Sequence, residues 1–378
     1  MTDERPVFEL GGGAAKPKGT ESQAGEAKRQ GVADVPLDLT AADAVPLTGK
    51  NDGHRLSIGL DACGYHPVVL FGNASSGKTS LLLSLLALLR TEPELACGLK
   101  LGEPILPLDT PYGRLIYDQA VGFYGAKTQA FINGNAAQKT VIDAPFFIPL
   151  IMSPEGKPEL RFAFMESNGE WYHPDRDNDR LFPGLRSHIE SFLATFQGPI
   201  TFIHLIPYTQ RPVYSANSDK FSDVREIEDA SIAIKGALDA YQNVRPNKDD
   251  DRHLMLVTKW DAHDPAQVSK YDVLTDSGDE PFEFAKDRYE QAVTAFLGLS
   301  LRPDQRQFKD YCSGLIAGNQ LQMPKRGDPL RDAILNYPKK LWGWLYQTAL
   351  IQLGEHAVSP FPAEVQPSWL SRVLGRFF

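Results

Sequence analysis

The chain has 378 residues, 42% hydrophobic and 23% charged, with a formal net charge of −9. That is the make-up of an ordinary globular protein, and without a basic block it gives no electrostatic reason to bind nucleic acid. No run of about 18 apolar residues occurs and the N-terminus has no apolar signal core, so the expectation is a cytoplasmic protein with neither a spanning helix nor a secretion signal. Three separated cysteines, Cys63, Cys97 and Cys312, fit neither a disulfide framework nor a zinc site and are expected as buried thiols.

Residues 1–45 carry few large apolar side chains, too few to offset the entropy of ordering, so a disordered arm is expected there. The apolar run Val68, Val69, Leu70 and Phe71 reads as a strand, and a leucine-rich pattern from Ser80 to Leu89 reads as a helix. Between them stand Gly72, Asn73, Ala74, Ser75, Ser76, Gly77, Lys78 and Thr79, the spacing Gly-x4-Gly-Lys-Thr. Water solvates a polyphosphate well, so a protein must supply fixed donors in its place. A tight loop turning into a helix offers backbone N–H groups and the positive end of the helix dipole. Residues Gly72 to Ser80 are therefore the candidate phosphate-binding set. The two glycines serve the turn and the close approach, Lys78 reaches the β- and γ-phosphate oxygens, and the Thr79 hydroxyl is a ligand for the bridging Mg²⁺.

The stretch 91–139, with Pro104, Pro107 and Pro111, reads as an insertion after this first helix. Phe146 to Met152 and Leu160 to Met165, joined by Pro154, Glu155, Gly156, Lys157 and Pro158, read as a hairpin. Ile200 to Leu205 and His253 to Val257 read as short buried strands with a helix from Asp223 to about Tyr241 between them, followed by one helix over Glu283 to Phe296 and a strand over Gln307 to Cys312. Strands alternating with helices imply an α/β fold, a doubly wound and mostly parallel sheet covered on both faces. The pattern Leu330 to Leu353, with Trp342, Trp344 and Tyr346, reads as a packing helix in a C-terminal extension over 321–357. In the tail over 358–378, Trp369, Val373 and Phe377 share one helical face and Arg372 and Arg376 another, a pattern suited to self-packing, a protein partner or peripheral membrane contact over 368–378. The eight histidines show no paired metal spacing.

A phosphate loop does not choose between ATP and GTP. After the apolar strand Leu254 to Val257 come Thr258, Lys259, Trp260 and Asp261. A carboxylate at a strand's C-terminal edge accepts hydrogen bonds from the ring N–H and exocyclic amine of guanine, a donor pair adenine lacks, and the lysine stem lies over the base.

With these two motifs the chain resembles the P-loop GTPases of the Ras-like and translation-factor class, including divergent bacterial double-GTPase-type domains, over residues 65–320. The resemblance implies a GTPase domain over 46–320 that works as a molecular switch, hydrolysing GTP to GDP and phosphate with Mg²⁺ and engaging a protein partner through its switch regions. It assigns Thr140 to Mg²⁺ and the γ-phosphate, the Gly169 N–H to that phosphate, and Ser313 and Gly314 to a loop touching the guanine carbonyl. Four departures stand out. Glu166 occupies the place of the family's metal-side Asp. Glu170 stands where Gln orients the attacking water, although a solvated surface role fits that residue equally. Ala74 and Ser75 replace the glycines of fast-switching members, which implies slow turnover. The stretch between Thr79 and Thr140 is longer than in the minimal fold. An ATPase or P-loop kinase, and a nucleotide-binding scaffold with little turnover, are the alternatives.

Overall fold

The computed structural model describes residues 50–73, 76–135, 146–166, 187–208, 221–259, 279–317, 320–322 and 329–361. The expected N-terminal arm over 1–45 and residues 362–378 of the expected C-terminal tail lie outside the described residues.

Seven strands form one sheet in the order β2-β3-β4-β1-β5-β6-β7. They are β1 (His66–Phe71), β2 (Lys100–Leu101), β3 (Phe146–Met152), β4 (Leu160–Glu166), β5 (Thr201–Pro207), β6 (Arg252–Thr258) and β7 (Arg306–Asp310). Strands β4, β1, β5, β6 and β7 run parallel, β3 is antiparallel to β4, and β2 is antiparallel to β3. Every residue of β1, β3 and β5 is buried, the near-continuous apolar run that a sheet covered on both faces demands. The hairpin expected at Phe146 is the β3–β4 pair, and Gly156 in its turn has φ 68°, a left-handed conformation suited to glycine. A separate two-stranded ribbon, β8 (Leu315–Ala317) and β9 (Gln320–Gln322), follows β7.

One face of the sheet is covered by α2 (Lys78–Thr91), α4 (Thr128–Ile132) and α9 (Pro329–Gln352). Helix α2 is apolar nearly all round, with Leu81, Leu82, Leu83, Leu85, Leu86 and Leu88 buried, because it is sandwiched between the sheet and other helices. Trp342 of α9 donates its indole N–H to Leu85 O at 2.9 Å and packs edge-on against Phe162 and Phe164 of β4. The expected insertion supplies a 3-10 turn, β2, and α3 (Pro111–Gly122), which leads through a π-helical turn, Phe123–Lys127, into α4. Helix α3 starts at a Thr110 cap that accepts from Gly113 N and packs on β3.

On the other face lie α1 (Lys50–Cys63), α5 (Ser187–Thr195), α6 (Phe221–Val244) and α8 (Glu290–Leu297). The single helix expected over Glu283 to Phe296 is two helices, α7 (Asp279–Arg288) and α8, broken at Tyr289 with φ −124° and ψ 41°. At the break Tyr289 is buried and its hydroxyl donates to Pro207 O at the end of β5, 2.6 Å away. Cys97 and Cys312 are buried as expected, Cys63 is half-buried, and the three form no disulfide among the described residues. Among the described residues no helix is long and apolar enough to cross a membrane.

Three histidines are buried in the sheet. His204 Nε2 and His253 Nδ1 are 3.1 Å apart in a stack that includes Phe202, and His66 Nε2 meets Thr201 Oγ1 at 2.8 Å. Burial pushes His66 down to about 4 and His204 down to about 3, and lowers His253 in the same way. The folded values lie below the unfolded one, so as pH falls below about 6.5 the unfolded chain takes up protons first and stability is lost. His66 alone should cost about 2 kcal/mol between neutral pH and pH 5. Thermal melts at pH 7 and pH 5 should show the midpoint falling, and a flat profile would contradict the neutral burial of these rings.

Candidate functional site

The chain leaves β1 toward the β4 side of the sheet and leaves β5 toward β6, so the connections from the C-terminal ends of these two neighbouring strands run to opposite sides. Open α/β sheets place ligands at that point. The Gly72–Thr79 loop sits there, between the end of β1 and the first turn of α2. Its two glycines are required for different reasons. A Cβ on Gly72 would lie 2.4 Å from Ser76 Oγ and 3.1 Å from Leu205 O, leaving no room for a side chain. Gly77 has φ 93°, a conformation that L side chains rarely adopt.

Lys78 is buried, and its ammonium folds back over the loop. It donates to Gly72 O at 2.6 Å and Asn73 O at 2.9 Å, with Ser76 Oγ at 3.5 Å. Burial pushes its pKa down to about 8, opposed by the nearby Glu166 carboxylate, so the group is charged at neutral pH and held at the mouth of the helix. Asn73 Oδ1 is buried with no hydrogen-bond partner among the described residues. Ser80 is half-buried in the first turn of α2.

The register of β4 on β1 pairs Val69 with Met165 and carries Glu166 to the same sheet edge. There Glu166 is fully buried and its Oε1 accepts from Thr79 Oγ1 at 2.7 Å. The extra methylene relative to aspartate therefore brings the carboxylate onto the threonine. A hydroxyl and a carboxylate side by side are hard oxygen donors of the kind Mg²⁺ takes, and that ion is usually completed by waters and phosphate oxygens rather than by a protein cage. The pair fits such an ion. Among the described residues no cluster of three or more His, Cys, Asp or Glu makes a metal site by itself, so a cation here would depend on a ligand's own oxygens.

The far side of the loop is held by β6. Thr258 Oγ1 donates to Ser76 O at 2.7 Å, and Thr258 O accepts from Tyr208 N at 2.8 Å. Lys259 follows with φ 58°, a left-handed conformation unusual for a non-glycine residue; such strain persists only where the surroundings impose it. Ser313 and Gly314 come after β7, whose Asp310 pairs with Val257 of β6, and Tyr311 N donates to Val257 O at 2.8 Å. Gly72, Asn73, Ser76, Gly77, Lys78, Thr79, Glu166, Thr258, Lys259, Ser313 and Gly314 thus share the C-terminal edge of the sheet. Ala74, Ser75, Thr140, Gly169, Glu170 and Asp261 lie outside the described residues.

The sequence reading did not single out Asn73 as a buried polar atom, nor Tyr311 and Ser84, whose hydroxyls meet behind the loop. Only partners distant in the chain reveal them. No protein-family model matches this chain, and no curated protein sequence matches it.

Proposed function

We propose that the chain binds GTP at this sheet edge with Mg²⁺ and hydrolyses it to GDP and phosphate as a P-loop switch protein. The observation that supports this most is the convergence on one loop of Lys78, the Thr79–Glu166 pair and Thr258, the last at the strand end that leads into Asp261. The antiparallel β3–β4 hairpin, delivering an acidic residue beside the loop, accords with the resemblance noted in the sequence.

In this reading the N-terminus of α2 and Lys78 hold the β- and γ-phosphates, the lysine exchanging loop carbonyls for phosphate oxygens. Thr79 and Glu166 would hold Mg²⁺, which when bound supplies neutralising charge to the same phosphates. Thr140 and the Gly169 N–H close over the γ-phosphate and are released on its loss, the order–disorder change of this class. Glu170 accepts a hydrogen bond from the attacking water. Asp261 takes the guanine N1–H and amine while the Lys259 stem covers the ring.

The test is a competition of GTP, ATP and xanthosine triphosphate on the wild-type chain and on Asp261→Asn. The wild type should prefer GTP. The variant should lose about a hundredfold in GTP affinity, because a carboxylate acceptor becomes an amide, and should turn toward xanthosine triphosphate. Wild-type preference for ATP would point to an ATPase or kinase instead.

A further inference from the structure

Two buried hydroxyls meet behind the loop. Ser84, in the second turn of α2, and Tyr311, the first residue after β7, are both buried and their oxygens are 2.7 Å apart. Ser84 Oγ also lies 2.8 Å from Leu81 O. A carbonyl oxygen only accepts, so the single proton of Ser84 goes there and Tyr311 is the donor of the pair. Leu81 belongs to the first turn of α2, its backbone N–H bonded to Gly77 O at 2.8 Å, so Ser84 is tied to the turn that opens at the loop. Burial raises the Tyr311 phenol well above its ordinary value, so the hydroxyl keeps its proton.

Tyr311 is tethered in two further ways. Its backbone N–H is bound to Val257 O of β6, and its ring packs edgewise on Tyr337 of α9 at 6.2 Å. The next residue, Cys312, points its thiol to Gly314 O at 3.2 Å, tightening the turn that follows. Packing needs only the ring. Burying two hydroxyls to join one point on α2 to one point beyond β7 is costly unless the bond is made, and it fixes the spacing between those two elements.

We propose that Tyr311 is a positioning residue that sets the Ser313–Gly314 backbone relative to the phosphate loop so that it meets the 6-oxo group of a purine. It would thereby govern base selectivity without touching the ligand. This rests on the guanine-nucleotide reading above.

The test uses the full chain and two probes, GTP and 2-aminopurine riboside triphosphate, which keeps the amine and phosphates but lacks the 6-oxo group and the N1 proton. Tyr311→Phe keeps the ring and leaves Ser84 bonded to Leu81 O, and Asp261 is untouched, so any change in the ratio of the two dissociation constants reports the 6-oxo contact. The GTP constant should rise about five- to tenfold, the worth of one hydrogen bond, while that of the analogue moves less than about twofold. Ser84→Ala should shrink the same ratio, and the double variant should shrink it no further. An unchanged ratio in both variants overturns the proposal. So does an equal loss for both nucleotides, which marks a merely structural role. Wild-type protein that binds neither probe, or binds ATP as tightly as GTP, removes the guanine reading itself and the positioning role with it.

Discussion

Lys78→Ala should weaken GTP binding by at least about a hundredfold, which isothermal titration would register as loss of a measurable signal. In the proposed reading Lys78 is the side-chain cation that takes the phosphates, and its loss removes that contact. In the unliganded loop the same ammonium joins Gly72 O and Asn73 O, so the variant also leaves two carbonyls of a tight turn to find other partners. Lys78→Arg should not restore binding, because a planar fork does not occupy the space of a compact ammonium folded inside the turn. Unchanged GTP affinity in Lys78→Ala would remove the phosphate site from this loop.

Asp251→Asn should destabilise the fold by about 3–5 kcal/mol, readable as a large fall in the urea midpoint, because it leaves a guanidinium buried without its counter-charge. Arg245 and Asp251 are both fully buried and joined by two bonds, Nε to Oδ2 at 3.0 Å and Nη2 to Oδ1 at 3.1 Å. The carboxylate also accepts from Tyr241 Oη at 3.0 Å and from Ile200 N at 2.8 Å. The guanidinium reaches the carbonyls of Phe196 and Gly198. One ion pair thus gathers the end of α6, the approach to β6, and the segment between α5 and β5. Replacing both partners, Arg245→Met with Asp251→Leu, should recover much of the loss, since removing both charges leaves neither stranded. A double variant as unstable as the single one would mean that the backbone hydrogen bonds, and not the charge, hold this corner.

The sequence carried the local parts of this architecture and of the site. The strand, the Gly-x4-Gly-Lys-Thr turn and the leucine-rich helix are contiguous, so spacing alone places Lys78 and Thr79 at a helix start. The hairpin was legible because Pro154 to Pro158 interrupts two apolar runs. What was not legible depends on partners far apart in the chain. The Thr79–Glu166 bond spans 87 positions and the Ser84–Tyr311 bond spans 227. Helix α1 was not among the expected elements, and its Gly53 and Gly59 have little helical preference of their own. In the fold they are sites of close approach, where a Cβ would meet His188 O at 2.1 Å and Ile105 O at 2.2 Å. The continuous helix expected over Glu283 to Phe296 fails at Tyr289 because a buried phenol bonded to Pro207 O outweighs local helical preference.

Helix α9 has a consequence for how the molecule is made. It is the last long element of the described chain, yet its Leu341, Trp342, Leu345, Tyr346, Ala349 and Leu350 are all buried in the common core. During synthesis, β4 and α2 emerge well before the helix that shields Phe162, Phe164 and the Leu85 carbonyl. The apolar face of β4 and α2 therefore stays uncovered until the residues of α9 have been made, so the core closes only after most of the described chain exists.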